Sequence, residues 1–220
     1  MYQWDFGSLW SYRWLFLNGL WVTVGFTVAI VVLGLLIGLV GALAKLSPFA
    51  PLRWLALAYI EVFRCTPVLV QLVWFYYALP ILSGIEISAV TASILALSLY
   101  GGSFYAEIIR GGIVSIDPGQ PEAAAALGMT PFQSMRRIIL PQALKRMIPP
   151  LMNQSIIQFK NTSLVSVLAV PDLLYQGQIA AHDSYRPLEV YSAVAIAYFA
   201  LLFPLTIIVR QGEKKLSTSD

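Results

Sequence analysis

The sequence predicts an all-α integral membrane protein with five transmembrane helices, its N-terminus outside and its C-terminus in the cytoplasm. Three observations predict it. Of 220 residues, 58% are hydrophobic and 11% charged, with a mean hydropathy of +0.74, whereas a soluble domain carries roughly 25% charge. One soluble core cannot cover that much apolar surface, so a disordered chain, a disulfide scaffold and an ordinary soluble enzyme are excluded. Next, the chain holds several apolar stretches of the roughly 20 residues that a hydrocarbon layer about 30 Å thick requires. Finally, its Lys and Arg residues are unevenly shared between alternate loops.

The elements follow in order. Residues 1–14 carry Asp5 and Arg13 with Tyr2, Trp4, Phe6 and Trp10. Without a basic cluster they read as an interfacial lead-in rather than a cleaved signal peptide. Residues 20–44 hold no charge and predict a helix over roughly 18–46. Residues 65–85 are also uncharged, and their apolar character extends back to Trp54 across Glu61 and Arg64, which predicts a second helix over 54–82. The uncharged stretch 87–106 predicts a helix over 88–110, and 147–170, broken only by Lys160, predicts a fourth. Uncharged residues 190–209 predict the fifth, over 188–210.

With five crossings, one set of loops holds Lys45, Arg53, Arg110, Arg136, Arg137, Lys145, Arg146, Arg210, Lys214 and Lys215, and the other only Arg13 and Arg186. Cytoplasmic loops carry the excess of Lys and Arg, which sets the orientation. The odd number of crossings argues against an internal inverted repeat, the usual design of a secondary transporter. The single cysteine, Cys65, cannot close an internal disulfide, and the single histidine, His182, cannot build a multi-histidine metal site, so no metal is expected.

The largest inside segment runs from Arg110 to Arg146, and 115–145 within it forms a cytoplasmic loop of a single membrane domain spanning 1–220. Pro121 and Glu122 suit a helix start, where proline fits the first turn and a carboxylate meets the positive end of the dipole. The alanines at 123–126 favour helix and expose little bulk, and Gly128 suits the left-handed residue of a helix end. Thr130-Pro131 opens a second short helix carrying Gln133, Arg136 and Arg137, and Pro141 is expected to break the chain again. The result is a helix–turn–helix elbow, either a soluble cap on the bundle or a knob for another protein's groove.

Glu122-Ala123-Ala124, Gly128 four residues after Ala124, and Ile138-x-Leu140-Pro141 together resemble the EAA signature of ABC importer permeases. Phe63-Arg64-Cys65-Thr66-Pro67, Glu107-Ile108-Ile109-Arg110-Gly111-Gly112-Ile113, Gly119-Gln120 and Asn161-Thr162-Ser163-Leu164 are similar to permeases of the polar amino acid type, and that similarity covers nearly the whole chain. Cys65 departs from it, standing where a glycine or another small residue is expected. The resemblance implies the type I ABC importer permease fold and a transmembrane permease subunit of an ATP-driven, binding-protein-dependent importer of polar amino acids. It further implies a multi-pass chain in the bacterial cytoplasmic (inner) membrane. The implied partners are two ABC ATPase subunits, a second permease subunit (identical or homologous) and an extracytoplasmic amino acid-binding protein, beside the lipid bilayer itself; no nucleic acid is implied. Glu122, Ala123, Ala124 and Gly128 would form the coupling helix on the ATPase. The chain has no Gly-x-x-x-x-Gly-Lys-[Ser/Thr] loop. No cofactor is therefore expected in it, ATP and Mg sitting on the partner ATPase, and it reads as a non-catalytic subunit. A membrane enzyme would need a nucleophile, metal cluster or paired carboxylates at shared depth, and none is apparent in the sequence.

Charged and polar residues inside a membrane are candidates for function because they are costly there. The candidate substrate pathway comprises Glu61, Arg64, Gln71, Lys160 and Asn161. Lys160 either meets a substrate carboxylate or pairs with Glu61 or Glu107. Arg64 either snorkels at the cytoplasmic boundary or lines the pathway with Glu61, where Thr66-Pro67 offers a kink with freed carbonyls. Glu107 and Arg110, three apart, read as a local pair. The outside stretch 171–187, with Asp172, His182 and Asp183, continues to Glu189 and is either a solvated loop or a face for the binding protein.

Overall fold

The computed structural model describes residues 2–217, with side chains for 2–212, so Lys214 and Lys215 lie outside the described side chains. Among the described residues every regular element is helical. A 3-10 turn, Gly7–Tyr12, leads into α1, Arg13–Leu46. At about 1.5 Å per residue, those 34 residues exceed the hydrocarbon thickness, so α1 starts earlier than its uncharged stretch. The interfacial aromatics Trp10, Trp14 and Trp21 stay exposed along its first turns.

The second expected helix is broken. Helix α2, Ala50–Cys65, ends at Thr66-Pro67, and α3, Val68–Val73, runs through a π turn, Trp74–Ala78, into α4, Leu79–Ser83. The two halves meet at 107°. Hydropathy marks where a chain is apolar and is blind to its direction; Pro67, which has no N–H to continue the ladder, supplies the break.

Helix α5, Ala89–Val114, is the centre of the bundle, capped by Ser88, whose side chain accepts from the Thr91 amide at 3.1 Å. It packs along α1 through small residues. A Cβ on Gly38 would lie 2.5 Å from the Tyr105 Cβ and 3.1 Å from the Gly102 carbonyl oxygen. Small residues spaced by four let two helices approach this closely where no water drives them together. Tyr105 is fully buried in this seam, and its hydroxyl meets Ser155 Oγ at 2.9 Å, which ties in the next long helix.

After the elbow, α7, Pro131–Ser134, a π turn, Met135–Ile139, α8, Leu140–Asn161, and a 3-10 turn, Thr162–Leu168, form one continuous helical run. Pro141 therefore does not break the chain. The wide π turn precedes it, and a proline tolerates the first turn of the helix that follows. The fourth helix thus begins well before residue 147.

The stretch expected as an outside loop is helical too. Helix α9, Leu173–Ser184, is capped by Asp172, which accepts from the Tyr175 amide at 2.8 Å, and the Leu173 amide donates to Thr23 Oγ1 of α1 at 3.0 Å. Asp172 and Glu189 are fully buried rather than solvated. Glu189, at the start of α10, Pro187–Ser217, accepts from the Tyr2 hydroxyl, the Asp5 amide at 3.1 Å and Arg186 Nη1 at 3.1 Å, which fastens the N-terminal segment to the last helix. A buried carboxylate persists when its oxygens are filled in this way.

Among the described residues three helices, Gly7–Leu46, Ala89–Val114 and Pro187–Gly212, are long and apolar enough to cross a membrane, and counting each of two bent pairs as one span brings the total to five. Only 11% of the most apolar window of the last helix is buried within the chain. Its exposed Ile196, Phe199 and Phe203 suit lipid or another membrane subunit, the solvent that a bilayer supplies to apolar faces.

Candidate functional site

The elbow forms as its residues dictate. Helix α6, Gly119–Ala126, starts after Asp117, whose carboxylate accepts from the Gly119 amide at 2.7 Å. At its other end the Gly128 amide donates to the Ala125 carbonyl at 2.9 Å and the Met129 amide to the Ala124 carbonyl at 3.0 Å. That pair of bonds closes a helix with a left-handed residue, and Gly128 sits at φ +73°. Thr130 and Gln133 then form a reciprocal capping box: the Thr130 amide donates to Gln133 Oε1 at 2.9 Å and the Gln133 amide to Thr130 Oγ1 at 3.3 Å. The elbow is tied to α8 by Gln142 Nε2, which donates to Gln120 Oε1 at 3.1 Å.

The four sequence-predicted coupling residues lie together on this elbow. Glu122, Ala123 and Gly128 are exposed, and Ala124 is buried against the body of the chain. The Glu122 carboxylate has no hydrogen-bond partner among the described residues, and the helix start is satisfied by Asp117 instead. Glu122 is thus available to another molecule. Two apolar side chains escaped the sequence reading: Leu127, 80% exposed, and Phe132, 72% exposed, flank Gly128. Their signal was large apolar residues in a segment otherwise small and polar, and such residues in the open mark an interaction surface.

The pathway candidates are less convergent. Gln71 is buried at the break between α2 and α3, where its Nε2 donates to the Phe63 carbonyl at 2.8 Å and the Thr66 carbonyl at 3.0 Å. The Phe63 carbonyl is the acceptor that Pro67, lacking an N–H, leaves empty, so Gln71 fastens the bend. Its Oε1 is buried without a hydrogen-bond partner among the described residues. We expect Gln71→Leu to cost about 1–3 kcal/mol by leaving those carbonyls unmet, read as a lower thermal midpoint in detergent with helicity unchanged at low temperature.

Lys160 is exposed near the end of α8 and has no ion pair among the described residues, so the expected alternative with Glu61 or Glu107 is not realised. Glu107 binds Lys45 at 2.5 Å and Arg110 at 3.0 Å; the local pair is present, joined by a lysine 62 residues away. Asn161 Nδ2 donates to Gln158 Oε1 at 3.0 Å, and Gln158 Nε2 to the Leu97 carbonyl at 2.8 Å. One core cluster holds Leu72 of α3 together with Val165 of the 3-10 turn after α8, and Val68 and Leu164 pack against it. Glu61 is exposed, touched by Cys65 Sγ at 3.8 Å, and the Arg64 guanidinium lies 5.4 Å from the Phe104 ring centroid. With the 107° bend there is no straight helix over 54–82 along which Arg64 could take its depth. Among the described residues no cluster of three or more His, Cys, Asp or Glu is arranged to hold a metal.

Among the described residues, helices of membrane-spanning length thus pack around a fastened bend, and a helical elbow stands exposed beside them. The chain belongs to the family described as binding-protein-dependent transport system inner membrane component, which matches residues 30–218. It is 38% identical over 215 residues to the glutamine transport system permease protein GlnP of Escherichia coli (strain K12), covering 97% of this chain and 98% of that one. It is also 38% identical over 204 residues to the arginine transport system permease protein ArtQ of Bacillus subtilis (strain 168), with 93% of each covered. A crystal structure of an amino acid ABC transporter with histidines superposes at a TM-score of 0.92 and 40% identity, over 97% of this chain and 100% of that one. The chain is a membrane-spanning permease component of an ABC importer, a class that works with ATPase and substrate-binding partners.

Proposed function

We propose that this chain carries polar amino acids across the bacterial inner membrane as one of two permease subunits, identical or homologous, bound to two ATPases. An extracytoplasmic binding protein delivers the substrate. The chain crosses five times, each bent pair counting once, with the N-terminus outside and the elbow in the cytoplasm; the uneven Lys and Arg distribution supports this orientation. ATP and Mg belong to the ATPases. The observation that carries the reading is the elbow: a capped, left-handed turn that projects unpaired Glu122, Ala123 and two apolar side chains away from the bundle. Glu122, Ala123, Ala124 and Gly128 dock on the ATPase and pass its movement to α8 through the continuous helical run.

The pathway runs past the bend. Lys160, exposed and without an ion pair among the described residues, offers an ammonium to a substrate carboxylate. Gln71 Oε1 offers an acceptor, and Asn161, Glu61 and Arg64 border the same route. The test is ATPase activity in proteoliposomes holding the chain with its ATPase, run with binding protein loaded with glutamine, glutamate or arginine. Stimulation by at least one loaded form supports the reading. An ATPase that never associates with the chain, or one indifferent to every loaded form, contradicts it.

A further inference from the structure

At the elbow end of the bundle, Lys45, Arg53 and Arg110 converge on one pocket of about 230 Å3, completed by Leu46, Trp54 and Leu57. Among the described residues a single carboxylate answers these cations: Glu107 takes Lys45 and Arg110. The Arg53 guanidinium is exposed and has no hydrogen bond or ion pair among the described residues. The pocket thus keeps an excess of positive charge. Directly beyond it, α1 and α2 flank an almost wholly apolar groove of about 490 Å3, lined by Ile37, Val40, Ala44, Leu55 and Tyr59. Pocket and groove are lined by neighbouring residues of the same two helices, Ala44 and Lys45 on one, Trp54 and Leu55 on the other. A basic mouth therefore lies beside a greasy furrow on the same two helices.

We propose that this composite site holds one anionic phospholipid. Its phosphate lies against Arg53, Lys45 and Arg110, and an acyl chain fills the groove between α1 and α2. Guanidinium groups bind phosphate oxygens by charge-assisted hydrogen bonds, and basic pockets at the ends of membrane helices suit anionic headgroups. Trp54, 65% exposed beside these cations, is a side chain of the kind that favours the headgroup level. A free phosphate ion would use the mouth and leave the groove unexplained, and a zwitterionic lipid would leave the excess charge unanswered. The site stands apart from the elbow and from the pathway residues, and needs only that the chain resides in a membrane.

The test is native mass spectrometry of the purified permease–ATPase assembly with added dioleoylphosphatidylglycerol or dioleoylphosphatidylcholine. Wild type should retain the anionic lipid preferentially. Arg53→Gln should lower that retention roughly fivefold, whereas Arg53→Lys should keep most of it. Val40→Trp, which fills the groove without altering charge, should lower it too, and Arg13→Gln, removing an exposed charge at the opposite end of α1, should not. Equal retention of the two lipids, an unaltered Arg53→Gln, or displacement of the lipid by glycerol 1-phosphate as effectively as by excess phosphatidylglycerol would each overturn the proposal. Arg53 and Val40 are both exposed, so their replacement leaves the fold intact, and unchanged helicity and thermal midpoint check this.

Discussion

Gly128→Val should abolish stimulation of the ATPase by loaded binding protein while leaving the helical bundle folded. Gly128 lies at φ +73° with nothing within 4 Å of where a Cβ would stand. The penalty is therefore one of backbone strain and not of steric contact. A left-handed conformation costs an L-residue about 1–2 kcal/mol, with a β-branched side chain at the high end. That is enough to shift the elbow out of its turn, because the turn is held by two hydrogen bonds and a capping box and by little buried surface. It is small beside the packing of the membrane helices. We expect stimulated ATPase activity to fall at least tenfold, with the thermal midpoint of the permease within a few degrees of wild type. Gly128→Asn, which tolerates the left-handed region, should retain most of the activity. If Asn and Val behave alike, conformation is not what Gly128 supplies.

Gly38→Ala should act in the opposite way, on stability first. Its Cβ would stand 2.5 Å from the Tyr105 Cβ, with the Ala106 amide nitrogen at 3.0 Å and the Gly102 carbonyl oxygen at 3.1 Å. None of these is the yielding end of a flexible side chain, so α1 and α5 must move apart along their shared seam. Overpacking of this kind costs roughly 1–3 kcal/mol, and here the upper figure applies because backbone opposes backbone. The separation also strains the Tyr105–Ser155 hydrogen bond that ties α5 to α8. A thermal midpoint lowered by on the order of 5–10 °C in detergent is expected, together with lower yield from the membrane. Gly25→Ala on the same helix, where a Cβ meets nothing within 4 Å, should be neutral or slightly stabilising.

The apolar stretches, the elbow and its cap residues were legible because each depends on local chemistry. Uncharged runs correspond to α1, α5 and α10, and Thr130, Gln133 and Gly128 adopt the geometry that their side chains or lack of one favour. Three features were not legible, each for a physical reason. The 107° bend at Thr66-Pro67 was visible as a proline, but its size depends on Gln71 reaching back to the Phe63 carbonyl, a contact between helices. Asp172 and Glu189 read as part of an outside loop, solvated or facing the binding protein, because charge favours water; their burial rests on donors that the fold brings from elsewhere, Tyr2 lying 187 residues from Glu189. Lys45 reaches Glu107 only because α1 and α5 run side by side. Pathway residues are hardest of all, since Lys160 was singled out by its cost in a membrane and the chain alone places no substrate beside it.

The central claim is that the elbow is the surface on which the ATPase sits. Thiol cross-linking tests it most directly. In a Cys65→Ser background, which removes the one exposed native thiol, Ala123→Cys on the elbow and Ser83→Cys at the far end of the broken span would each be treated with a short bifunctional thiol reagent. Partner ATPases carrying single surface cysteines would supply the second thiol. A permease–ATPase adduct is expected from Ala123→Cys and none from Ser83→Cys. An ATPase that co-purifies with the chain yet never links to Ala123→Cys, or links instead at Ser83→Cys, would contradict it.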